Sequence, residues 1–197
     1  SYREIEKLNT PYYFFIITVT SHMPFNAADM VDDTVAPEDD LTEKYLKCIK
    51  YTDREFGRFY NQLKDSGTLD DSVLIIYGDH EGVHKYYPTT LPDNQRRIPF
   101  IVHVPDMQGK VIDTVGGQVD MMPTLAYLLG IDKTEYSRLV MGRNLFSDSP
   151  GAAILSDGSV VGNKEDGSHL VQALETSDLI IRGDYFAMEH SSLLGQN

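Results

Sequence analysis

The sequence predicts an α/β sandwich, with a mainly parallel central sheet flanked by helices and a small antiparallel sheet near the C-terminal end. Three observations lead there. Apolar runs rich in β-branched and aromatic residues, at 12–20 and 73–77, lack in–out alternation, the pattern of strands buried on both faces as in a parallel sheet. The elements succeed one another as strand, helix, strand, loop, strand, helix. The residues best suited to chemistry fall just past the ends of the first two runs, where sheets of this class hold their ligands.

Taken in order, residues 3–8 read as the end of a helix that Asn9, Thr10 and Pro11 stop. The run 12–20 is the first strand and leads into Ser21-His22-Met23-Pro24-Phe25. Residues 26–40 form an acidic loop. Asp40 and Glu43 have capping-box spacing, and Leu41, Tyr45, Ile49, Thr52, Phe56, Tyr60 and Leu63 recur as one buried helical stripe. Gly67 ends that helix. Residues 73–77 make the second strand, which runs into Gly78-Asp79-His80-Glu81-Gly82. After a polar loop, 83–97, residues 98–104 make the third strand, with Pro99 suited to a strand start or edge. Gly116 and Gly117 lead to a helix over 121–129, with Pro123 in its first turn and Gly130 at its end. Further on, 152–155, 159–161 and 179–182 read as short strands, with Gly158, Gly167 and Gly183 at turns.

At 197 residues, with 41% apolar and 10% aromatic side chains, the chain is long enough and apolar enough for a full core. Its 30 acidic residues outweigh 17 basic ones, for a net charge of −13. Such a surface repels nucleic acid, which is bound by clustered Lys and Arg, and is not drawn to anionic headgroups. Seven of the acids lie between Asn26 and Glu43, with no Lys or Arg among them, as in a solvated loop. The single cysteine, Cys48, allows no intrachain disulfide and sits in the helical stripe as a core thiol. No stretch approaches the roughly 20 apolar residues that span a bilayer.

Asp79 and His80 are neighbours at a strand end between two glycines. Carboxylate oxygen with imidazole nitrogen suits Mn²⁺ or Zn²⁺, although the same pair also serves as a helix cap or turn. His22 likewise comes after a buried run. It can donate to a phosphoryl oxygen, ligate a metal or act as a general acid, or it can pack beneath its own loop. His84, Lys85, Arg96 and Arg97 supply positive charge or N–H donors for a phosphoryl group, and one of the arginines suits a structural ion pair instead. His103, within a strand, reads as a core histidine. Neither a G-x-S-x-G elbow, a P-loop nor a G-x-G-x-x-G motif occurs, so serine-triad hydrolase, kinase and dehydrogenase readings lack support.

Three segments share a pattern. Thr18-Val19-Thr20-Ser21-His22-Met23-Pro24-Phe25 resembles the T-x-T-x-H-x-P-F segment of lipoteichoic acid synthases. Ile76-Tyr77-Gly78-Asp79-His80-Glu81-Gly82 resembles their Y-G-D-H-x-G segment, and Gly117-Gln118-Val119-Asp120-Met121-Met122-Pro123-Thr124 their G-Q-V-D-x-x-P-T segment. Order and spacing also match, over residues 5–146. The resemblance implies the alkaline phosphatase/sulfatase-like sandwich, with residues 1–146 the C-terminal part of the catalytic core and 147–197 a small-sheet subdomain. It implies an extracellular phosphoglycerol transferase, anchored at the bacterial cell membrane by upstream helices. Such an enzyme moves glycerol phosphate from phosphatidylglycerol, or another phospholipid headgroup donor, to a glycerol phosphate polymer acceptor. It further implies that Asp79 and His80 ligate Mn²⁺ (Zn²⁺, Mg²⁺ or Ca²⁺ being the alternatives) and that His22 works at the phosphate. His84 and Arg96 are then the candidates for further substrate contacts, and Asp120 shapes the connection into the next helix. In that family the threonine nucleophile and an acidic metal ligand lie upstream of the first segment, so this chain alone is expected to be inactive. Sulfatases, phosphoethanolamine transferases, phosphodiesterases and non-catalytic relatives share much of this wording.

Overall fold

The computed structural model describes residues 1–25, 40–85, 87–93 and 95–187. The chain divides into two compact units, Ser1–Gln108 and Gly109–Asn197. The acidic loop expected over 26–40 lies, except for Asp40, outside the described residues.

The first unit is built around one long helix. A short helix, α1 (Tyr2–Ile5), precedes it, and α2 (Leu41–Asp65) starts where the capping spacing places it. The Asp40 carboxylate accepts from the Glu43 N–H at 2.8 Å, satisfying one of the helix's orphan donors. Gly67, at φ 75°, takes the left-handed conformation just past the helix end and opens a 3-10 turn, Thr68–Asp71. Two small apolar clusters hold α2 in place. Leu63 packs with Ile5 and Leu69, and Tyr2, Tyr12, Phe59, Tyr60 and Leu74 close around them. Cys48 packs with Phe25 and Val83, joined by Leu41, Tyr45 and Leu91. Its thiol is buried against the Phe25 carbonyl at 3.7 Å, as befits a core cysteine.

The sheet departs from expectation. Strands β1 (Leu74–Tyr77) and β2 (Phe100–His103) pair antiparallel, with Leu74 opposite His103 and Tyr77 opposite Phe100. Residues 12–19 run without regular secondary structure, and Tyr13, Ile17 and Val19 are 84%, 74% and 73% exposed. The predicted mainly parallel central sheet is therefore not found among the described residues. The described residues form two separate two-stranded antiparallel sheets instead. The physical reason lies in the connections and the partners. A parallel pair needs a crossover, usually a helix, whereas β1 reaches β2 through a loop whose one helical element among the described residues is the 3-10 turn Val83–Lys85, so the chain simply folds back. An apolar run reports that a segment suits a pleated, buried setting. It does not encode which strand lies beside it or in which direction.

In the second unit, α3 (Met121–Leu128) comes after a 3-10 turn, Gln118–Asp120, and Gly130 at φ 72° ends it. Pro123 in its first turn is buried. The short α4 (Lys133–Tyr136) is capped by Asp132, which accepts from both the Thr134 N–H and its hydroxyl. Strands β3 (Ala152–Ile154) and β4 (Val160–Gly162) form an antiparallel hairpin, with Ala153 opposite Val161. The third segment read as a strand, 179–182, is instead the end of α5 (Lys164–Arg182). The Asn163 side chain caps that helix by accepting from the N–H groups of Glu165 and Asp166. Gly167, expected at a turn, lies inside α5. A methyl group there would run into Val160, so the missing side chain lets helix and hairpin close together. Locally Leu179-Ile180-Ile181 suits a strand. The capped helix upstream, propagating through Leu170, decides otherwise.

Candidate active site

The second motif begins where β1 ends. The Gly78 N–H donates to the Pro99 carbonyl at 3.1 Å, extending the pairing by one step, and its Cα faces Ile98 and Pro99 so closely that a methyl would stand 3.2–3.3 Å from them. A residue without a side chain lets the backbone turn there against β2. The turn delivers Asp79 to the surface, with its side chain 86% exposed, beside a half-buried His80. Asp79 Oδ1 and His80 Nε2 are 3.7 Å apart. The other ring nitrogen of His80, Nδ1, donates to the Glu81 carbonyl at 2.6 Å. A carbonyl only accepts, so Nδ1 carries a hydrogen, and this bond turns the Nε2 edge of the ring toward Asp79. Metal-binding histidines are oriented in this way, by an N–H bond from the far nitrogen.

Gly82 and Val83, at the end of the motif, tie it to the helix. Gly82 lies against the Tyr45 ring, in a space that a Cβ would fill, and Val83 is buried with Phe25 and Cys48. The first motif is held by the same cluster. The His22 N–H donates to Val19 O and the Phe25 N–H to His22 O, both at 3.0 Å, so His22 sits in a tight turn ending at the buried Phe25. Phe25 and Val83 each stand three residues beyond a motif histidine. Through them the segments of His22 and of Asp79-His80 share one anchor on α2, where Phe25 also meets the Tyr45 ring edge-on at 5.4 Å. The sequence singled out the histidines but not these anchors. Their signal was available in the apolar residue that recurs at the same offset after each histidine.

His84 and Arg96 stand on the loop joining β1 to β2. His84 Nε2 donates to the Pro92 carbonyl at 3.0 Å and so braces the loop, while Leu91 joins the cluster around Cys48. Arg96, with Gln95 before it, takes a left-handed backbone at φ 58°, and Asp93 accepts from the Gln95 N–H at 2.9 Å. Arg96 and Arg97 are both exposed. Lys85 belongs to the 3-10 turn, but its side chain lies outside the described residues. The half-buried His103 donates from Nε2 to the Leu69 carbonyl at 3.2 Å, fastening β2 to the turn after α2. Among the described residues no three His, Cys, Asp or Glu side chains gather as a metal cluster. The direct pairing of candidate ligands is that of Asp79 with His80.

The third motif, in the second unit, builds something different. Asp120 is 1% exposed. One of its oxygens accepts from the Gly117 N–H and the other from the Arg143 N–H, both at 2.8 Å. Thr124 Oγ1 accepts from the Leu145 N–H at 3.0 Å. A Cβ on Gly142 would overlap the Val119 carbonyl, so the stretch of chain at 142–145 lies directly on the motif. Asp120 thus shapes the entry to α3 and fastens a distant loop to it.

A family model described as Sulfatase matches residues 2–131, a span that includes all three motifs. The chain belongs to the sulfatase family. Within it, the similarity is to the lipoteichoic acid synthase branch. Lipoteichoic acid synthase 1 of Bacillus subtilis (strain 168) is 33% identical over 158 residues, 73% of this chain and 24% of that protein. The lipoteichoic acid synthase-like YvgJ of the same strain is 31% identical over 182 residues, 83% of this chain and 29% of its own length. The lipoteichoic acid synthase of Staphylococcus aureus (strain USA300) is 34% identical over 157 residues, 72% of this chain and 24% of that protein. The crystal structure of the lipoteichoic acid synthase LtaP from Listeria monocytogenes superposes with a TM-score of 0.59 at 27% identity, covering 84% of this chain and 52% of that one. The chain therefore spans about a quarter to a third of the length of these curated relatives. Among the described residues no helix is long and apolar enough to cross a membrane.

Proposed function

We propose that this sulfatase-family chain contributes half of a metal-assisted phosphotransfer site. In the intact protein that site would move glycerol phosphate from phosphatidylglycerol, or another phospholipid headgroup, to a glycerol phosphate polymer on the extracellular face of the bacterial membrane. The observation that carries the reading is the Asp79–His80 pair, an exposed carboxylate and an imidazole held by its far nitrogen, 3.7 Å apart at a strand end. The donor set fits a divalent cation, with Mn²⁺ the first choice and Zn²⁺, Mg²⁺ and Ca²⁺ the alternatives. When bound, such an ion offsets charge developing on a phosphoryl oxygen and lowers the pKa of an attacking hydroxyl.

The chain's own residues do the rest. The Gly78 turn and the Val83 anchor hold the two donors in place. His22, tied through Phe25 to the same cluster, serves proton transfer at the alcohol oxygens. His84 and Arg96 are assigned to the substrate's phosphate and headgroup from the loop between β1 and β2. With two donors from this chain, the remaining ligands come from elsewhere in the intact protein, and the chain alone turns over no phosphodiester.

Two measurements test the reading. Mn²⁺ titrated into this chain, tracked by paramagnetic relaxation, is expected to broaden Asp79 and His80 resonances and to leave the Asp79→Ala, His80→Ala chain untouched. In the longer parent ectodomain with Mn²⁺, diacylglycerol release from labelled phosphatidylglycerol is expected to vanish in the same double variant. Metal binding without lipid cleavage would keep the metal pair and move the substrate to another phosphate or sulfate ester.

A further inference from the structure

Each of the five described histidines bonds a backbone carbonyl through one ring nitrogen, and they divide by which one they use. His84, His103 and His169 use Nε2, toward Pro92, Leu69 and Met141. His22 and His80 use Nδ1, each toward the carbonyl of the very next residue, Met23 and Glu81, at 2.6 Å. The two histidines of the motif segments therefore share one local geometry, on different loops. For His80 this orients a ligand. For His22, which is not assigned to the metal, it has a separate consequence.

A carbonyl oxygen has no proton to give, so Nδ1 of His22 must carry the hydrogen. In the neutral ring that leaves Nε2 as a bare lone pair, with no other partner among the described residues. We infer that the Met23 carbonyl is a positioning group that locks His22 in the Nδ1–H tautomer, so that His22 enters the reaction as a proton acceptor at Nε2 and not as a neutral N–H donor to phosphate. The inference rests on the phosphotransfer reading and adds the direction of the proton. As the attacking hydroxyl's oxygen bonds to phosphorus, its proton passes to His22 Nε2. The P–O bond to the departing group breaks with its electron pair on the departing oxygen, which takes a proton from water. The imidazolium then returns its own proton to solvent, and the count closes. The tautomer also fixes what a substitute must do. A glutamine at this position keeps an N–H donor near the place of Nε2 but cannot take a proton.

Two experiments decide it. In ¹⁵N-labelled chain at neutral pH, long-range ¹H–¹⁵N correlation reads the tautomer directly, with His22→Gln assigning the signals by their loss. A pyridine-type Nε2 with a pyrrole-type Nδ1 is expected. The reverse pattern, or an even average of the two, overturns the inference whether or not the protein transfers phosphate. In the parent ectodomain, His22→Gln and His22→Asn are expected to lose diacylglycerol release alike, by at least about 100-fold, the usual share of a general base. Gln retaining activity within about tenfold of wild type, while Asn does not, would show that a donor is what the reaction needs. A parent that releases no diacylglycerol with any residue at position 22 would count against the phosphotransfer reading, and the spectrum would still judge the tautomer.

Discussion

Asp79 and Asp120 each stand in a short glycine-led motif, yet the structure puts them to opposite uses. Asp120 is buried and gives both oxygens to backbone N–H groups, one in its own turn and one 23 residues on. A buried carboxylate so satisfied is committed, since any other partner would cost it a bond that water cannot replace. Asp79 is exposed, and its Oδ1 faces an imidazole whose far nitrogen is already engaged. Its side chain is 86% exposed to solvent. The difference teaches that residue type and strand-end position nominate a carboxylate for chemistry. Burial and backbone bonding decide whether it stays available.

Substitutions at the two sites can break this comparison, and the largest effect is expected on turnover. Asp79→Ala in the parent ectodomain should cut diacylglycerol release by about 100-fold or more, as loss of a metal ligand exceeds the 10–100-fold typical of its supporting residues. Urea unfolding of the present chain should at the same time move by less than about 0.5 kcal/mol, the usual range for an exposed position. Similar losses of stability at Asp79 and Asp120 would collapse the distinction. Asp120→Ala comes next. It strands two half-buried N–H groups at about 1–3 kcal/mol each and should lower the stability of the second unit by about 3 kcal/mol, read by urea denaturation. Gly142→Ala, which would push a methyl into the Val119 carbonyl, should destabilise the same unit by about 1–3 kcal/mol, the usual range for overpacking.

The smallest effect is expected from Asp166, a third kind of carboxylate, half exposed. Its pKa is held below the ordinary 3.8, first by the Ser149 hydroxyl that donates to it at 2.6 Å and then by the Arg143 guanidinium at 3.1 Å, with burial opposing. A lowered folded-state pKa contributes stability that is complete above the ordinary value and is lost as pH falls through the folded one. The unfolding midpoints of wild type and Asp166→Asn should therefore differ at neutral pH and converge as pH falls below the ordinary carboxylate value of 3.8 and through the lowered folded-state one. A constant gap would sink the assignment.

Much of the candidate site was legible before any fold was known. Adjacent Asp79 and His80 between glycines, and His22 before a proline, carry their chemistry in residue type. Spacing alone placed the helix from Asp40 to Gly67, because capping and helical periodicity are contacts within a few residues. The anchors were not read. Phe25 and Val83 matter because they meet each other and Cys48 across the fold, a relation that no local pattern records. The sheet was misread for the same reason. A run such as 12–20 states its own apolar character, whereas a strand's partner and direction are properties of two segments and of the connection between them.

The sequence by itself thus determined the family, the capped helix α2, the candidate ligands and the acid-rich charge, all of them written in neighbouring residues or short motifs. Only the tertiary structure decided that β1 meets β2 antiparallel, that residues 179–182 finish a helix, and that Asp120 is buried while Asp79 is exposed. It also decided which nitrogen His22 presents. These are matters of burial and of hydrogen bonds completed by particular partners. Their energies are set by the surroundings that the folded chain supplies, not by the residue that the sequence names.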